Sequence, residues 1–330
     1  MSAPAIDGRD IRAVTPADVG RADLWTASFP CTDLSLAGGR AGIREGQSSA
    51  VWALLDLLEA MTERDRPSRL MFENVMGLLS SGGGADFRAL TARVNELGYG
   101  VDPLFVDAAW FTAQSRPRLY LLCARIDAVE RADVEAVEAS RVRPARLVAA
   151  MRANADLVWH ARETPEPPRA GVRVESVLED LEEDDPRWWS AARAAYFVGQ
   201  IHPSHAAYAR RMIDGRGESR VCAYRRVRPI EGVKKSVIEL RADGLAGCLR
   251  LPKGGSAKQM LLCAGDGRAR VRYLTARECA RLQGAPEPAP GFTENELLAG
   301  YGDAVCVPAA RWALDRFAVD RAGVRRSAVG

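Results

Sequence analysis

The hydrophobic positions in the first 125 residues follow two spacings in turn. Consecutive apolar residues, typical of buried strands, occupy the segments 23–29, 69–75, 101–111 and 118–124. Apolar residues three and four apart, typical of one helical face, occur over 49–63 and 85–97. Strands that alternate with helices predict an α/β layer with a largely parallel sheet.

The residues that end these apolar runs are the first candidates for chemistry. In open α/β sheets, ligands bind beyond the carboxyl ends of the strands. Cys31 follows the first predicted strand and Glu73 lies near the end of the second, so we expect both at one crevice. The polar segment 36–49 contains four glycines, which predicts a mobile loop that approaches a ligand closely.

The pattern changes after the last of these strands. Residues 129–153 are predicted to form one or two helices, interrupted near Pro144. Residues 162–186 are rich in proline and acidic side chains, which predicts a surface linker or a solvated face.

The later part of the chain is basic before it becomes helical again. Residues 203–258 contain 13 Lys and Arg against 5 Asp and Glu, a net charge of +8, with short strand-like pieces between glycines. This pattern predicts irregular β structure. Thr275, with Glu278 three residues later, predicts a capped helix, and a turn leading into a helix of about twelve residues follows it.

Composition narrows the class of protein without deciding its function. The formal net charge of +3 neither requires nor excludes a polyanionic partner. The seven cysteines include no C-x-x-C pair, which argues against a zinc site or a disulfide scaffold. The first residues lack the apolar segment of a signal peptide, and no stretch approaches the roughly 18 to 20 apolar residues of a membrane helix. We therefore expect a cytoplasmic protein that binds neither membrane nor metal.

Taken one at a time, the candidate residues allow two interpretations each. Cys31 can be a nucleophile or an ordinary buried thiol. Glu73 can be a general acid at a crevice or a solvated strand end. Arg116 and Arg118, two apart on an extended segment, can hold a carboxylate or phosphate or form a basic surface pair.

The combination of motifs is more specific than any single residue. Their order along the chain is Pro30-Cys31 with Ser35, Glu73-Asn74-Val75, Gln114-x-Arg116-x-Arg118, Arg272-x-Leu274-Thr275-x-Arg277-Glu278-x-Ala280-Arg281-Leu282-Gln283-Gly284, and Gly302-Asp303-Ala304-Val305. This order and spacing resemble the DNA cytosine-5 methyltransferase family over residues 10–125 and 248–319.

The resemblance implies a catalytic role for each matching residue. Cys31 would add to carbon 6 of a cytosine flipped out of the duplex, and Glu73 would protonate ring nitrogen N3. Arg118, with Arg116 in support, would hold the base edge and orient Glu73. The supporting residues of the motifs are Ser35, Asn74, which would fix the loop that carries Pro30-Cys31, and Gln114.

The resemblance also implies S-adenosylmethionine as the cofactor. The matching contacts are Asp10, Pro30, Val51, Asp303 and Val305. The family's Phe-x-Gly-x-Gly-Gly loop and the acidic residue after it are not found upstream of Asp10, so a Rossmann-like methyltransferase sheet without its N-terminal strands is expected. A mis-assigned start, an enzyme split over two chains and a degenerate remnant are the alternatives that would account for this.

The resemblance divides the chain into three segments. Residues 1–128 would be a partial catalytic domain, 129–288 a smaller, irregular, β-rich target-recognition region, and 289–330 a segment returning to the catalytic domain. The candidates for contacts to the phosphates of double-stranded DNA are Arg225, Arg226, Lys234, Lys235, Lys253 and Lys258. The alternatives to DNA methylation, with or without a complementing second chain, are a non-catalytic DNA-binding subunit and an RNA cytosine methyltransferase.

Overall fold

The computed structural model describes residues 7–30, 43, 46–251 and 258–317. Its strands are β1 (Leu24–Ser28), β2 (Arg69–Asn74), β3 (Tyr99–Asp107), β4 (Pro117–Arg125), β5 (Ser219–Ile230), β6 (Val233–Leu240), β7 (Met260–Gly265) and β8 (Arg268–Tyr273). Its helices are α1 (Ala50–Ala60), α2 (Ala85–Glu96), α3 (Ala145–Arg152), α4 (Ala191–Gly199), α5 (Pro203–Asp214), α6 (Ala276–Gln283), α7 (Glu294–Asp303) and α8 (Val307–Leu314).

The chain forms two compact units. The first contains Met1–Val106, Pro117–Pro167 and Trp312–Gly330, and the second contains Asp107–Arg116 and Pro168–Arg311. These bounds differ from the three segments expected from the sequence, because residues up to Pro167 pack with the first unit. The two units describe packing, and the functional division of the chain stays a prediction.

The first unit contains the predicted α/β layer. Its sheet has the order β1-β2-β4-β3, with β1 parallel to β2 and β2 antiparallel to β4. The expectation of a largely parallel sheet was therefore wrong for β4. The nine residues between β3 and β4 are fewer than the dozen or more that a parallel crossover needs, so β4 runs back.

Helices α1 and α2 cover this sheet with the apolar faces predicted from their spacing. Leu55, Leu58 and Leu90 are fully buried and belong to the same core as Phe72 of β2. Trp159 belongs to the same core and stacks on the ring of Phe87, with 5.9 Å between the centroids. The core holds β1 and β2 in register, which matters for the residues at their ends.

The helices predicted over 129–153 form only in part, as α3. In the preceding segment, the guanidinium of Arg152 donates to the main-chain carbonyls of Val134, Glu135 and Val137. These carbonyls therefore have a side-chain donor in place of a helical amide. The predicted linker over 162–186 is also corrected in part, because Val174 is fully buried in the core of the second unit.

Residues 203–258, which were expected to form irregular β structure, contain helix α5 and strands β5 and β6 of a regular sheet in the second unit. Its strands are antiparallel in the order β6-β5-β7-β8. The turn Glu231-Gly232 between β5 and β6 has φ values of 53° and 78°, the conformation of a tight two-residue hairpin. Asp266-Gly267 between β7 and β8 does the same, with φ values of 51° and 77°. Gly232 and Gly267 therefore mark hairpin turns and do not interrupt the strands.

Of the helices that follow this sheet, α6 matches the sequence prediction, whereas α7 and α8 differ from it. Thr275 caps α6 in a capping box with Glu278, as predicted. The expected final turn and helix of about twelve residues form instead as the end of α7 and the eight-residue α8.

Candidate functional site

The parallel pairing of β1 with β2 brings two polar side chains together at the strand ends. Ser28 is the register partner of Glu73, although 45 residues separate them in sequence. The Ser28 hydroxyl donates to Oε2 of Glu73 over 2.5 Å. Glu73 is 5% exposed, so its carboxyl group is largely removed from water.

The reversed strand β4 supplies the cation of this site. Tyr120 of β4 is the register partner of Glu73, and Arg118 lies two residues away on the same face of the strand. The Nε atom of Arg118 lies 2.8 Å from Oε1 of Glu73. The two carboxyl oxygens therefore face different partners, a hydroxyl and a guanidinium, which fixes the orientation of the group.

The chain after β1 is held by two further side chains. Asn74 donates from Nδ2 to the carbonyl of Phe29 over 3.0 Å, and its Oδ1 accepts from the amide of Val75. The buried hydroxyl of Ser48 donates to the carbonyl of Pro30 over 2.7 Å. Cys31 and Ser35 lie outside the described residues.

Arg116 and Gln114 are buried in the second unit. The guanidinium of Arg116 donates to the carbonyls of Leu249 and Ala304, over 2.9 and 2.8 Å. Gln114 donates to the carbonyl of Leu282 over 3.0 Å and accepts from the amide of Leu249 over 3.0 Å. These contacts join main-chain segments of this unit, and a contact of Arg116 to a base stays a prediction.

The cofactor candidates of the first unit differ in how well they suit an adenosyl group. Asp10 is exposed, and its carboxylate accepts from the amide and guanidinium of Arg12. The hydrogen bond from the Arg12 amide lowers the pKa of Asp10, which suits an acceptor for an amino group. Pro30 is exposed, whereas Val51 is 1% exposed and packs in the core, and the cofactor contact of each stays a prediction.

In the second unit, Asp303 ends α7 with an exposed side chain, and Val305 is half-buried. Gly302 lies so close to the main chain of Arg250 that a Cβ would stand 2.4 Å from its carbonyl carbon. A glycine is therefore required beside Asp303 for this close approach.

The DNA candidates have varied surroundings. Lys234 and Lys235 are exposed on β6, near the hairpin turn. Arg225 donates to Oε1 of Gln200 over 2.6 Å, and Arg226 lies 3.8 Å from a carboxylate oxygen of Glu239. Lys258 donates to Asn295 over 2.8 Å, and Lys253 lies outside the described residues.

Ser28 is the polar partner that the sequence analysis did not single out. Its position three residues before Cys31 is the available signal, but a serine at a strand end has many ordinary roles. Its contact to Glu73 depends on the register of two strands. Among the described residues, no helix is long and apolar enough to cross a membrane, and no cluster of His, Cys, Asp and Glu resembles a metal site.

A family model for C-5 cytosine-specific DNA methylases matches residues 3–316. The chain is 40% identical over 103 residues to the type II methyltransferase M2.BsuMI of Bacillus subtilis, covering 31% of this chain and 26% of that protein. It is 30% identical over 125 residues to the orphan methyltransferase M.SssI of Spiroplasma monobiae, covering 37% and 32%. The matched stretches are thus about a quarter to a third of these relatives' length.

A solved structure supports the fold over a much longer stretch. The Entamoeba histolytica methyltransferase EhMeth superposes with a TM-score of 0.52 and 12% sequence identity, covering 94% of this chain and 82% of that one. At this identity the likeness concerns the fold alone, and it agrees with the Rossmann-like α/β class.

Proposed function

Because the chain belongs to the C-5 cytosine-specific DNA methylase family, we propose that it transfers a methyl group to carbon 5 of cytosine in double-stranded DNA. The observation that carries this proposal is the buried Glu73, held at a strand end by Ser28 and Arg118. A carboxyl group in this setting is suited to exchange a proton with a ring nitrogen of a bound base. Methylation within restriction-modification, as the relatives' type II names imply, belongs to the same proposal.

The covalent chemistry begins at Cys31. Its thiolate forms a bond to C6 of the flipped cytosine, while Glu73 gives a proton to N3. The electrons of the C5–C6 double bond then make C5 nucleophilic, and C5 accepts the methyl group. A water molecule accepts the C5 proton, the electrons of the C5–H bond restore the C5–C6 double bond as the sulfur–C6 bond breaks, and the proton on N3 returns to Glu73. Cys31 leaves as thiolate.

Ser28 acts on Glu73 as a positioning residue in this scheme. A hydroxyl group can donate to a carboxylate and, after rotation, accept from a carboxylic acid. Ser28 therefore keeps its contact in both protonation states of Glu73, whereas a guanidinium can only donate. Arg118 orients the other oxygen and the base edge, and Asn74 holds the chain before Cys31 through the Phe29 carbonyl.

S-adenosylmethionine, when bound, supplies the methyl group. Asp10 would accept a hydrogen bond from its adenine amino group. Pro30 and Val51 are the other cofactor candidates of the first unit, and Asp303 and Val305 are those of the second unit. The basic side chains of the second unit, among them Lys234 and Lys235, would contact DNA phosphates. The recognition region would provide the base contacts.

A methyl-transfer assay tests the overall activity. The chain is mixed with duplex DNA and cofactor carrying a labelled methyl group, alone and together with the polypeptide encoded next to it. Label is expected in cytosine C5 in at least one of the two mixtures. Binding of duplex DNA without any transfer in either mixture would contradict the enzyme and favour a non-catalytic DNA-binding subunit, and transfer to RNA alone would favour the RNA enzyme.

A trapping experiment tests the covalent step. Duplex DNA containing 5-fluorocytosine retains its C5 substituent, so elimination of the enzyme is blocked. A denaturation-resistant complex of protein and DNA is expected in the presence of cofactor, and Cys31→Ser is expected to lose it. Retention of the complex in Cys31→Ser would remove Cys31 from the mechanism.

A further inference from the structure

The second unit contains a cavity of about 500 Å³ whose lining combines aromatic and basic side chains. Trp189 and Tyr273 supply rings, and Arg193 and Lys258 supply cations. Cavities of roughly 300 to 1,000 Å³ are typical of small-molecule sites. Apart from the phosphate contact predicted for Lys258, the proposed reaction gives this cavity no role.

The charge of the cavity favours an anion. Among the described residues that line it, Arg187, Arg193 and Lys258 are basic, and Glu294 is acidic. Arg187 forms an ion pair of 2.6 Å with Asp185, so its charge is balanced locally. Arg193 and Lys258 instead contact neutral groups, the hydroxyl of Tyr273 at 3.3 Å and the amide oxygen of Asn295 at 2.8 Å.

The aromatic rings of the cavity lie next to these cations. The rings of Trp189 and Tyr273 meet edge to face, with centroids 5.0 Å apart. The Arg193 guanidinium lies 3.7 Å from the Trp189 centroid, and Lys258 Nζ lies 5.4 Å from the Tyr273 centroid. Cations beside aromatic rings are the combination with which proteins hold unpaired nucleotides, whose phosphates are anionic and whose bases stack.

The ends of three helices add to the same electrostatic preference. Ser190, Thr275 and Thr293 are the N-caps of α4, α6 and α7, and all three line the cavity. The N-terminal end of a helix carries partial positive charge. The cap side chains and the first-turn glutamates offset part of this charge, so the helix ends add only a weak attraction for an anion.

We propose that this cavity binds one unpaired nucleotide of the DNA, separate from the cytosine that reacts. Its phosphate lies between Arg193 and Lys258, and its base packs against Tyr273 and Trp189. The inference rests on the proposed function, since DNA is the ligand in both. It adds a second contact that requires the duplex to be locally open.

Binding of a short single-stranded oligonucleotide, measured by tryptophan fluorescence with the full chain, tests the cavity. The Cys31→Ser variant is used, so that no result depends on methyl transfer. The double variant Arg193→Gln with Lys258→Gln is expected to weaken binding about tenfold and to reduce the salt dependence by about one unit of slope. The matched control is Arg268→Gln, since Arg268 is an exposed arginine of the same unit that pairs weakly with Glu183.

Substitutions of Tyr273 test the contact between its ring and the base. Tyr273→Phe retains the ring and is expected to keep most of the affinity, whereas Tyr273→Leu is expected to lose roughly tenfold. Thermal unfolding of each variant checks that the fold persists. A duplex with one bulged nucleotide is expected to bind more tightly than its fully paired counterpart, and this preference disappears in the double variant.

Each contrary result overturns a stated part of the inference. Binding of inorganic phosphate as tightly as of the oligonucleotide would reduce the cavity to an anion site. An equal loss in Arg268→Gln would show a diffuse charge effect. Methyl transfer by the unsubstituted chain, with no effect of the cavity variants on oligonucleotide binding, would refute this inference alone. Cavity-dependent binding with no methyl transfer by the unsubstituted chain would refute the proposed function alone.

Discussion

Each unit of the molecule contains a buried glutamate paired with an arginine, and the two pairs differ in how completely the carboxylate is bound. In the second unit, Glu278 accepts from Arg272 over 2.6 and 2.7 Å and from the amides of Thr275 and Glu179, both over 2.8 Å. In the first unit, the described partners of Glu73 are Arg118 and Ser28.

The difference fits a structural role for Glu278 and the catalytic role proposed for Glu73. A carboxylate has about four acceptor positions, and the four bonds to Glu278 occupy them. Six residues separate Arg272 from Glu278, so one local segment makes most of this network. Glu73 joins three strands through single contacts and keeps capacity for another partner. A carboxylate whose acceptor positions are all occupied stabilises the fold, whereas one with a free position is suited to exchange a proton with a bound base.

The largest effect is expected from removing the carboxyl group of Glu73. Glu73→Gln should lower the rate of methyl transfer roughly 10²- to 10⁴-fold, because an amide cannot supply the proton to N3. Relative to the unsubstituted chain, the free energy of unfolding should fall less in Glu73→Gln than in Glu278→Gln. Glu63→Gln, an exposed glutamate of the same unit, is the control and should keep full activity. Equal activity of the two variants would refute the role of Glu73.

The next effect concerns the Arg272–Glu278 pair. Glu278→Gln leaves Arg272 buried without its counter-charge, which should cost about 3–5 kcal/mol of unfolding free energy in urea titrations. Glu296→Gln is the matched control, because Glu296 occupies the same capping-box position in the exposed α7. A loss no greater than that of the control would mean that the network does not stabilise the fold.

A smaller effect is expected at Ser28. Ser28→Ala should lower kcat about tenfold with little change in KM for DNA, because the carboxyl group loses one orienting bond. Ser28→Thr retains the hydroxyl and should restore most of kcat. If threonine and alanine behave alike, the role of the hydroxyl is refuted and the side chain matters only for packing.

The smallest effect is expected at a pair of the second sheet in which the side chain of Arg228 is 41% exposed and Glu239 is buried. Burial raises the pKa of Glu239, but hydrogen bonds from Arg228 and Tyr224 outweigh it and lower the pKa below its usual value. The stability from this pair is therefore present at neutral pH and lost as the pH falls through that lowered value. Thermal unfolding of Arg228→Gln should show a small deficit at neutral pH that disappears in acid, and a deficit that persists in acid would contradict it.

Much of the first unit could be predicted because its signals are local. The apolar runs and helical spacings identified β1, β2, α1 and α2 within a residue or two at most ends. The reversed β4 escaped prediction, since strand direction depends on pairing between distant segments. The hairpin turn Asp266-Gly267 could have been predicted, because Asp-Gly between strands is a known hairpin signal. The turn Glu231-Gly232 could not, because glutamate is not among the residues typical of its first position.

The sequence by itself determined which reactive residue types are present and in what order, and that order identified the family. It also placed Glu73 at a strand end, because the apolar run stops there. Only the tertiary structure decided the partners of each carboxyl group. Ser28 and Arg118 reach Glu73 through strand register across 45 residues on either side, whereas Arg272 and Glu278 are only six residues apart. Local patterns cannot encode a register that the whole core holds in place.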